Sequence, residues 1–298
     1  MKWSKALRKK LNSMFPQKAS GASSDASSSA SEGAKDHGCD GEQPPRIITP
    51  DTTPAPKPFA LAGDLNEATG GRELQAPVGA AYLIEHPAAE MHETWVSLDE
   101  QFAREFDRID SALRRLVAEE GDDGLSPEDL AFFDLETTGL SNTPLFLIGA
   151  MSFEDGGFVI RQYFARHYGE EPAVISAFAD DLAARGMLVS FNGKSFDWPY
   201  TQTRAVATRT DFNIDLPHLD LLHVSRRTWK DRLPNCQLQT LESHICGRSR
   251  TDDIPGAQIP EAYHEYVRSG RIDDIIEILN HNVLDLLTMA DLMVRMPD

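Results

Sequence analysis

Phe132-Phe133-Asp134-Leu135-Glu136-Thr137-Thr138-Gly139-Leu140 is an apolar run with two acids at alternate positions. In an extended strand, successive side chains point to opposite faces. Asp134 and Glu136 therefore share one face, and Phe133 and Leu135 turn the other toward apolar packing. Two carboxylates side by side on a buried strand repel each other and resist desolvation. A divalent cation removes that penalty, and Mg²⁺ prefers carboxylate oxygens while keeping several waters. A strand end whose acids simply face water has the same D-x-E pattern, so the pair takes its meaning from the rest of the chain.

A third acid has a comparable setting. In Phe191-Asn192-Gly193-Lys194-Ser195-Phe196-Asp197-Trp198-Pro199-Tyr200 a short apolar strand runs into a Gly turn, and Asp197 begins a helix. The helix dipole favours an acid there for structural reasons alone. The functional reading is a carboxylate delivered to a metal from the end of a neighbouring strand. The last group is His281-Asn282-Val283-Leu284-Asp285, where a spacing of four puts His281 and Asp285 on one helix face. Ile275, Ile276, Ile278, Leu279, Leu284, Leu286 and Leu287 make this helix largely buried, so its His and Asp need partners. Either they pair with each other, or they supply a fourth carboxylate and a water-positioning imidazole. Two other acidic motifs in the same chain favour the second.

The elements around these motifs alternate. Residues 80–84 read as a strand announced by Pro77 and Gly79. From Ser97 to about Glu119, Phe102, Phe106, Ile109, Leu113 and Leu116 recur at spacings of three and four. This predicts an amphipathic helix capped by Ser97, with Glu100 at the capping-box position. Residues 130–135 and 145–153 read as strands, and Gly156-Gly157 turns the second into a third at 158–164. A helix at 172–184 and a buried strand at 187–191 follow. Further helices are expected at about 196–207, 219–229, 237–246, 260–268 and 272–296. Strands joined by a hairpin, then strand–helix alternation, predict an α/β fold with a mixed sheet flanked by helices.

The chain has 298 residues and a formal net charge of −18, made of +3 over residues 1–60 and −21 over 61–298. Trp3, Leu7, Leu11 and Phe15, among five basic residues, fit a short amphipathic helix or a solvated tail that orders on a partner. Fourteen of the sixteen residues 19–34 are Ser, Ala or Gly, and residues 43–58 hold six prolines, so neither stretch has apolar surface to offset its ordering entropy. Residues 1–69 are expected to form a disordered basic, Ser/Ala/Gly- and Pro-rich tail. Residues 70–298 are expected to form one domain, with a strand and helix extension at about 70–125. No run of 18 apolar residues exists, and no apolar segment follows the basic head, so neither a membrane span nor a secretory signal is expected. Cys39, Cys236 and Cys246 lack CxxC spacing, which opposes a disulfide framework or a Cys-based zinc site and fits a cytoplasmic protein. The acidic body argues against a DNA-coating protein, though not against an enzyme holding nucleic acid at one metal-loaded cleft.

In order, the motifs are D-x-E, N-x-x-x-F-D, and a ring-bearing residue four before an Asp. This resembles the DEDD superfamily of 3′–5′ exonucleases on the ribonuclease H-like fold. The stretches His218-Leu219-Asp220-Leu221-Leu222, Ser225 to Lys230, Leu238 to Glu242, Asp253 to Pro260 and His281-Asn282 look like the YprB-type branch of that fold, from about residue 72 onward. The resemblance implies four acids, Asp134, Glu136, Asp197 and Asp285, on two Mg²⁺ or Mn²⁺ ions, with His281 assisting the attacking water. The spacing of four to Asp285 is that of the tyrosine subtype; the histidine subtype usually has one residue more.

Arg226, Arg227, Trp229, Lys230 and Arg232 are the body's densest basic cluster. They suit phosphate contacts with base stacking, or equally a helix surface paired with the surplus of acids. Asn192 and Lys194 lie beside an acidic motif, within reach of a terminal nucleotide, and Asp220 reads as structural. The leading expectation is metal-dependent exonucleolysis of single-stranded or frayed DNA or RNA, with a protein partner for the tail. The rival is a non-catalytic module of the same fold that binds nucleic acid or protein.

Overall fold

The computed structural model describes residues 52–117 and 124–296, so the reading of residues 1–51 lies outside the described residues. In chain order the elements are β1 (Thr53–Pro54), α1 (Leu65–Thr69), β2 (Arg72–Ala76), β3 (Gly79–Pro87), α2 (Ala88–Met91) and α3 (Glu93–Val117). Next come β4 (Leu130–Thr137), β5 (Leu145–Glu154), β6 (Gly157–Phe164), α4 (Glu171–Leu182), β7 (Met187–Ser190), α5 (Asp197–Thr208), β8 (His218–Asp220) and α6 (Leu221–Trp229). The chain ends with α7 (Leu238–Leu241), a π-helical turn (Glu242–Cys246), β9 (Arg248–Ser249), α8 (Ile259–Ser269) and α9 (Asp273–Val294).

Seven strands form one mixed sheet in the order β2-β3-β6-β5-β4-β7-β8. Pairing is antiparallel from β2 to β4 and parallel from β4 through β7 to β8. The α/β expectation holds. The alternation of β4 sorts the helices onto two faces. Phe132 meets Phe102 of α3 and Phe158, with ring centroids 6.2 and 5.9 Å away. Phe133, on the other face, meets Phe178 of α4 and Trp198 of α5 at 5.7 and 5.8 Å. Helix α9 packs against β4 and α3. Asp134 and Glu136 thus lie on the α9 face, near the carboxyl ends of the parallel strands, where open α/β sheets place their sites.

The body begins earlier than residue 70. Thr53 and Pro54 pair with Arg248 and Ser249 in a separate two-stranded sheet, and Ala55 and Phe59 are buried. The Phe59 N–H donates to Asn280 Oδ1 at 2.8 Å, and its carbonyl accepts from Asn280 Nδ2 at 3.0 Å. An extended segment anchored by two apolar residues has no periodicity to announce it. Strand β2 was equally silent, because Arg72, Glu73 and Gln75 lie on a polar edge. Helix α3 starts at Glu93, since buried Trp95 and Leu98 extend its apolar stripe. Ser97 accordingly accepts from Gln101 Nε2 rather than capping. Residues 219 and 220, expected to begin a helix, lie in β8, and 237–246 splits into α7 and the π turn.

Asp99 of α3 is a buried acid whose oxygen accepts the Phe158 N–H at 3.0 Å. Burial lifts its pKa to about 6, with that N–H opposing. A carboxyl whose folded pKa exceeds its unfolded value makes its full contribution at low pH and loses it as pH rises through the folded value. Melting of wild type should therefore weaken between about pH 4 and 6.5 relative to Asp99→Asn, by about 1–2 kcal/mol. Parallel stability–pH curves for the two proteins would show that Asp99 is not so placed.

Candidate active site

The central strand is built to bring an acid and a helix together. Asp134 pairs across the ladder with Gly149 of β5. A Cβ on Gly149 would lie 2.0 Å from Asn282 Oδ1, so the glycine is what lets α9 reach the sheet. Asn282 Nδ2 donates to Asp134 Oδ2 at 3.1 Å, and its Oδ1 accepts from Gln162 Nε2 at 2.9 Å. Gln162 also donates to the Leu279 carbonyl at 3.0 Å. Both amides are fully buried, so the chain Gln162–Asn282–Asp134 holds the carboxylate from below.

Asp197 arrives from the next strand. After β7, Asn192 adopts a left-handed backbone, φ 67°, and Gly193 passes beneath the acid. A Cβ on Gly193 would come within 2.3 Å of Ser190 Oγ and 2.9 Å of Asp197 Oδ2. Asp220, at the end of β8, accepts the backbone N–H groups of Asn192, Lys194 and Leu222 at 2.8, 3.2 and 3.1 Å. It clamps the loop and caps α6, the structural role expected for it. Glu136 is buried beside Asp134 on β4, while His281 and Asp285 come from α9.

Electrostatics bind these groups into one site. Desolvation and then the Asp285 charge lift the Asp134 pKa to about 7, against the pull of the His281 charge and the Asn282 hydrogen bond. Glu136 is raised well above its ordinary value by burial, then by Asp134, with Asp285 and Asp197 adding. Asp197 is raised by burial, Asp134, Asp220 and Asp285. Burial works against the His281 charge, but Asp285, Asp253 and Glu136 outweigh it and lift the ring to about 10. Its Nδ1 lies 2.8 Å from Asp253 Oδ1, and its Nε2 lies 3.6 Å from Asp285 Oδ2. So placed, the ring is favoured in its charged form, with Nδ1 hydrogen-bonded to Asp253.

Three hard-oxygen donors, Glu136 and Asp197 buried and Asp134 half-buried, whose strongest electrostatic neighbours are mostly other acids, match the chemistry of a divalent cation. As their side chains stand, no three His, Cys, Asp or Glu among the described residues converge closely enough to hold one. Asp285 is the outlier, because Arg250 Nη2 donates to its Oδ1 at 2.6 Å. Sequence reading missed Arg250, Glu242, Gln162 and the role of Asn282. A polar residue beside His281 in a buried helix was the available signal for Asn282; the others depend on distant partners.

The basic cluster divides. Arg226, Arg227 and Lys230 are exposed along α6, about 9 to 15 Å from Asp220 at a rise of roughly 1.5 Å per residue. Trp229, expected to stack on bases, is instead buried with Leu241, Cys246 and Leu292. One turn of helix carries the three cations outward and the indole inward. Lys194 is also buried, and desolvation lowers it to about 8 against the pull of Asp220, so only Asn192 of that pair is exposed. Neutralising Arg226, Arg227 and Lys230 together should weaken single-strand binding and flatten its salt dependence by about two to three counter-ions. An unchanged slope in fluorescence anisotropy across a salt series would remove α6 from the interface.

Comparison with known proteins agrees with this architecture. The RNase_H superfamily model matches residues 131–297, more than half the chain, from β4 through α9. The chain belongs to the RNase H superfamily. It resembles YprB-type RNase H-like proteins. It is 34% identical over 179 residues to a Bacillus subtilis (strain 168) protein named "Uncharacterized protein YprB". That match spans 58% of this chain and 43% of the Bacillus protein. A family B DNA polymerase from Pyrobaculum calidifontis is similar over 58% of this chain and 25% of its own, at 14% identity and a TM-score of 0.44. No helix among the described residues is long and apolar enough to cross a membrane.

Proposed function

We propose that this RNase H-like protein is a metal-dependent 3′–5′ exonuclease acting on the end of single-stranded or frayed nucleic acid. The observation that carries the reading is the meeting of half-buried Asp134 with buried Glu136 and Asp197, mutually repelling, at the carboxyl ends of two adjacent parallel strands. A helix start suits Asp197, but the three acids raise one another's pKa, and their repulsion costs stability until a cation balances it. These residues would hold Mg²⁺ or Mn²⁺, which when bound supplies a more acidic water and charge balance for the leaving oxygen.

The chain's own groups account for the rest. Gln162 and Asn282 fix the orientation of Asp134. Asp220 fixes the loop that presents Asp197 and leaves Asn192 exposed for a terminal nucleotide. Arg226, Arg227 and Lys230 contact the phosphates upstream. His281, oriented by Asp253, holds a proton at Nε2 facing the acids. It orders the attacking water, and its pKa falls toward neutrality once the carboxylates around it are balanced.

The test is end-labelled single-stranded DNA and RNA incubated with Mn²⁺ or with chelator. Shortening from the 3′ end in Mn²⁺ alone is expected; no cleavage of either polymer would sink the proposal. Within it, His281→Ala should reduce turnover about 10²–10³-fold with little change in metal affinity. His281→Tyr should recover part of that loss, because a phenol four residues before Asp285 suits the tyrosine subtype. Full activity in the Ala variant would make His281 structural.

The second reading, a non-catalytic binding module, is favoured by one observation: the described acids do not converge on a cation as they stand. Melting with and without Mn²⁺ separates the two, since a ligand of the native state raises its melting temperature. Nucleic-acid binding with no Mn²⁺ shift and no hydrolysis would establish the second.

A further inference from the structure

Arg250 follows β9, outside every motif discussed above, yet its side chain is only 5% exposed. Its Nε donates to Glu242 Oε2 and its Nη2 to Asp285 Oδ1, each at 2.6 Å, and Nη1 lies 3.5 Å from Asp253 Oδ2. Glu242 sits in the π turn with its side chain 1% exposed. Its other oxygen accepts from Thr288 Oγ1 of α9 at 3.1 Å and lies 3.7 Å from Arg248 Nε. Arg248 in turn donates to Asp291. β9 itself is paired with β1. The guanidinium is thus held from several sides, and withdrawing it from Asp285 would also strip a buried Glu242 of its closest cation.

A guanidinium stays charged at every working pH and binds carboxylates through a fixed fork of donors. A divalent ion taking an Asp285 oxygen would have to sit against that positive charge in a poorly screened interior. Asp134, in contrast, bonds to a neutral amide. We propose that Arg250 is a built-in cation that occupies Asp285, so that Asp134, Glu136 and Asp197 take one divalent ion and Asp285 gives it no oxygen. This rests on the metal-dependent reading above, and it departs from the expectation of two ions on four acids.

The test counts Mn²⁺ per full-length chain, by titration calorimetry and by the electron-paramagnetic signal of free Mn²⁺, with no substrate present. Wild type should bind one ion. Arg250→Gln should free Asp285 and bind two. The double variant Arg250→Gln/Asp285→Asn keeps the neutral pairing and should bind one ion, with affinity within about threefold of wild type, whereas loss of a true ligand costs at least about 10-fold. Two ions in wild type, one in Arg250→Gln, or a weakened double variant would each overturn the inference while leaving the metal site standing. No Mn²⁺ in wild type would overturn both. If Arg250→Gln fails to fold, as circular dichroism would show, the wild-type count and Asp285→Asn alone decide, since Asp285→Asn keeps the Arg250–Glu242 pair and should still bind one ion with affinity within about threefold of wild type.

Discussion

Asp134→Asn and Asp197→Asn are each expected to lower hydrolysis about a thousandfold or more, roughly 4 kcal/mol of transition-state stabilisation, while the fold survives. Each change removes one charge from the acid cluster at almost constant volume. In chelator, the Asp134 variant should melt higher than wild type at pH 8. Asp134, lifted to about 7, carries a half-buried charge there that desolvation and Asp285 both oppose. Because its folded pKa lies above its unfolded value, wild type loses stability as pH rises through about 7, and the variant's advantage vanishes near pH 4. A gain of about 1–3 kcal/mol at pH 8 is the expected scale. Lost activity with an unchanged or raised melting temperature separates a cation-holding acid from a structural one. Wild-type rates in both variants, in Mg²⁺ and in Mn²⁺, would show that the site is elsewhere.

Gly149→Ala is expected to cost about 3–5 kcal/mol and to abolish activity without touching any acid. Its Cβ would overlap Asn282 Oδ1 at 2.0 Å on a central strand that cannot shift, being paired on both sides. Asn282 must swing away, breaking its bonds to Asp134 and Gln162 in a fully buried setting. For a body of this size the melting temperature should fall about 6–20 °C. Gly256→Ala is the control, with nothing within 4 Å of its added Cβ, and should stay within about 0.5 kcal/mol of wild type. Asn282→Ala in the Gly149→Ala background should restore part of the stability but not the activity. Equal melting of the Gly149 and Gly256 variants would refute the close approach.

The elements that sequence reading placed well carry their signal locally. Residues 130–135, 145–153 and 187–191 are dense apolar runs, and all are strands within a few residues of those bounds. The stripe of Phe102, Phe106, Ile109 and Leu113 is a helix face whatever it packs on, and it is buried. Alternation along β4 was enough to put Asp134 and Glu136 on one face, and a spacing of four was enough for His281 and Asp285. The structure brings these groups and Asp197 within electrostatic reach of one another.

What local pattern cannot carry is who stands opposite. Trp229 looked like a stacking platform because its neighbours in sequence are cations, but helix rotation turned it toward Leu241 and Leu292. Residues 53–69 looked like linker because their anchors, Arg248 and Asn280, are about two hundred positions away. Amino-acid order alone was enough for strands β3 to β7, the longer helices, the shared face of the two β4 acids and the surplus of negative charge. Only the tertiary structure decided that Gly149 opens a slot for Asn282, and that Arg250, 35 residues before Asp285, reaches it first. The physical reason is range: periodicity is set by neighbours along the backbone, whereas a buried charge is satisfied by whichever distant group the fold delivers.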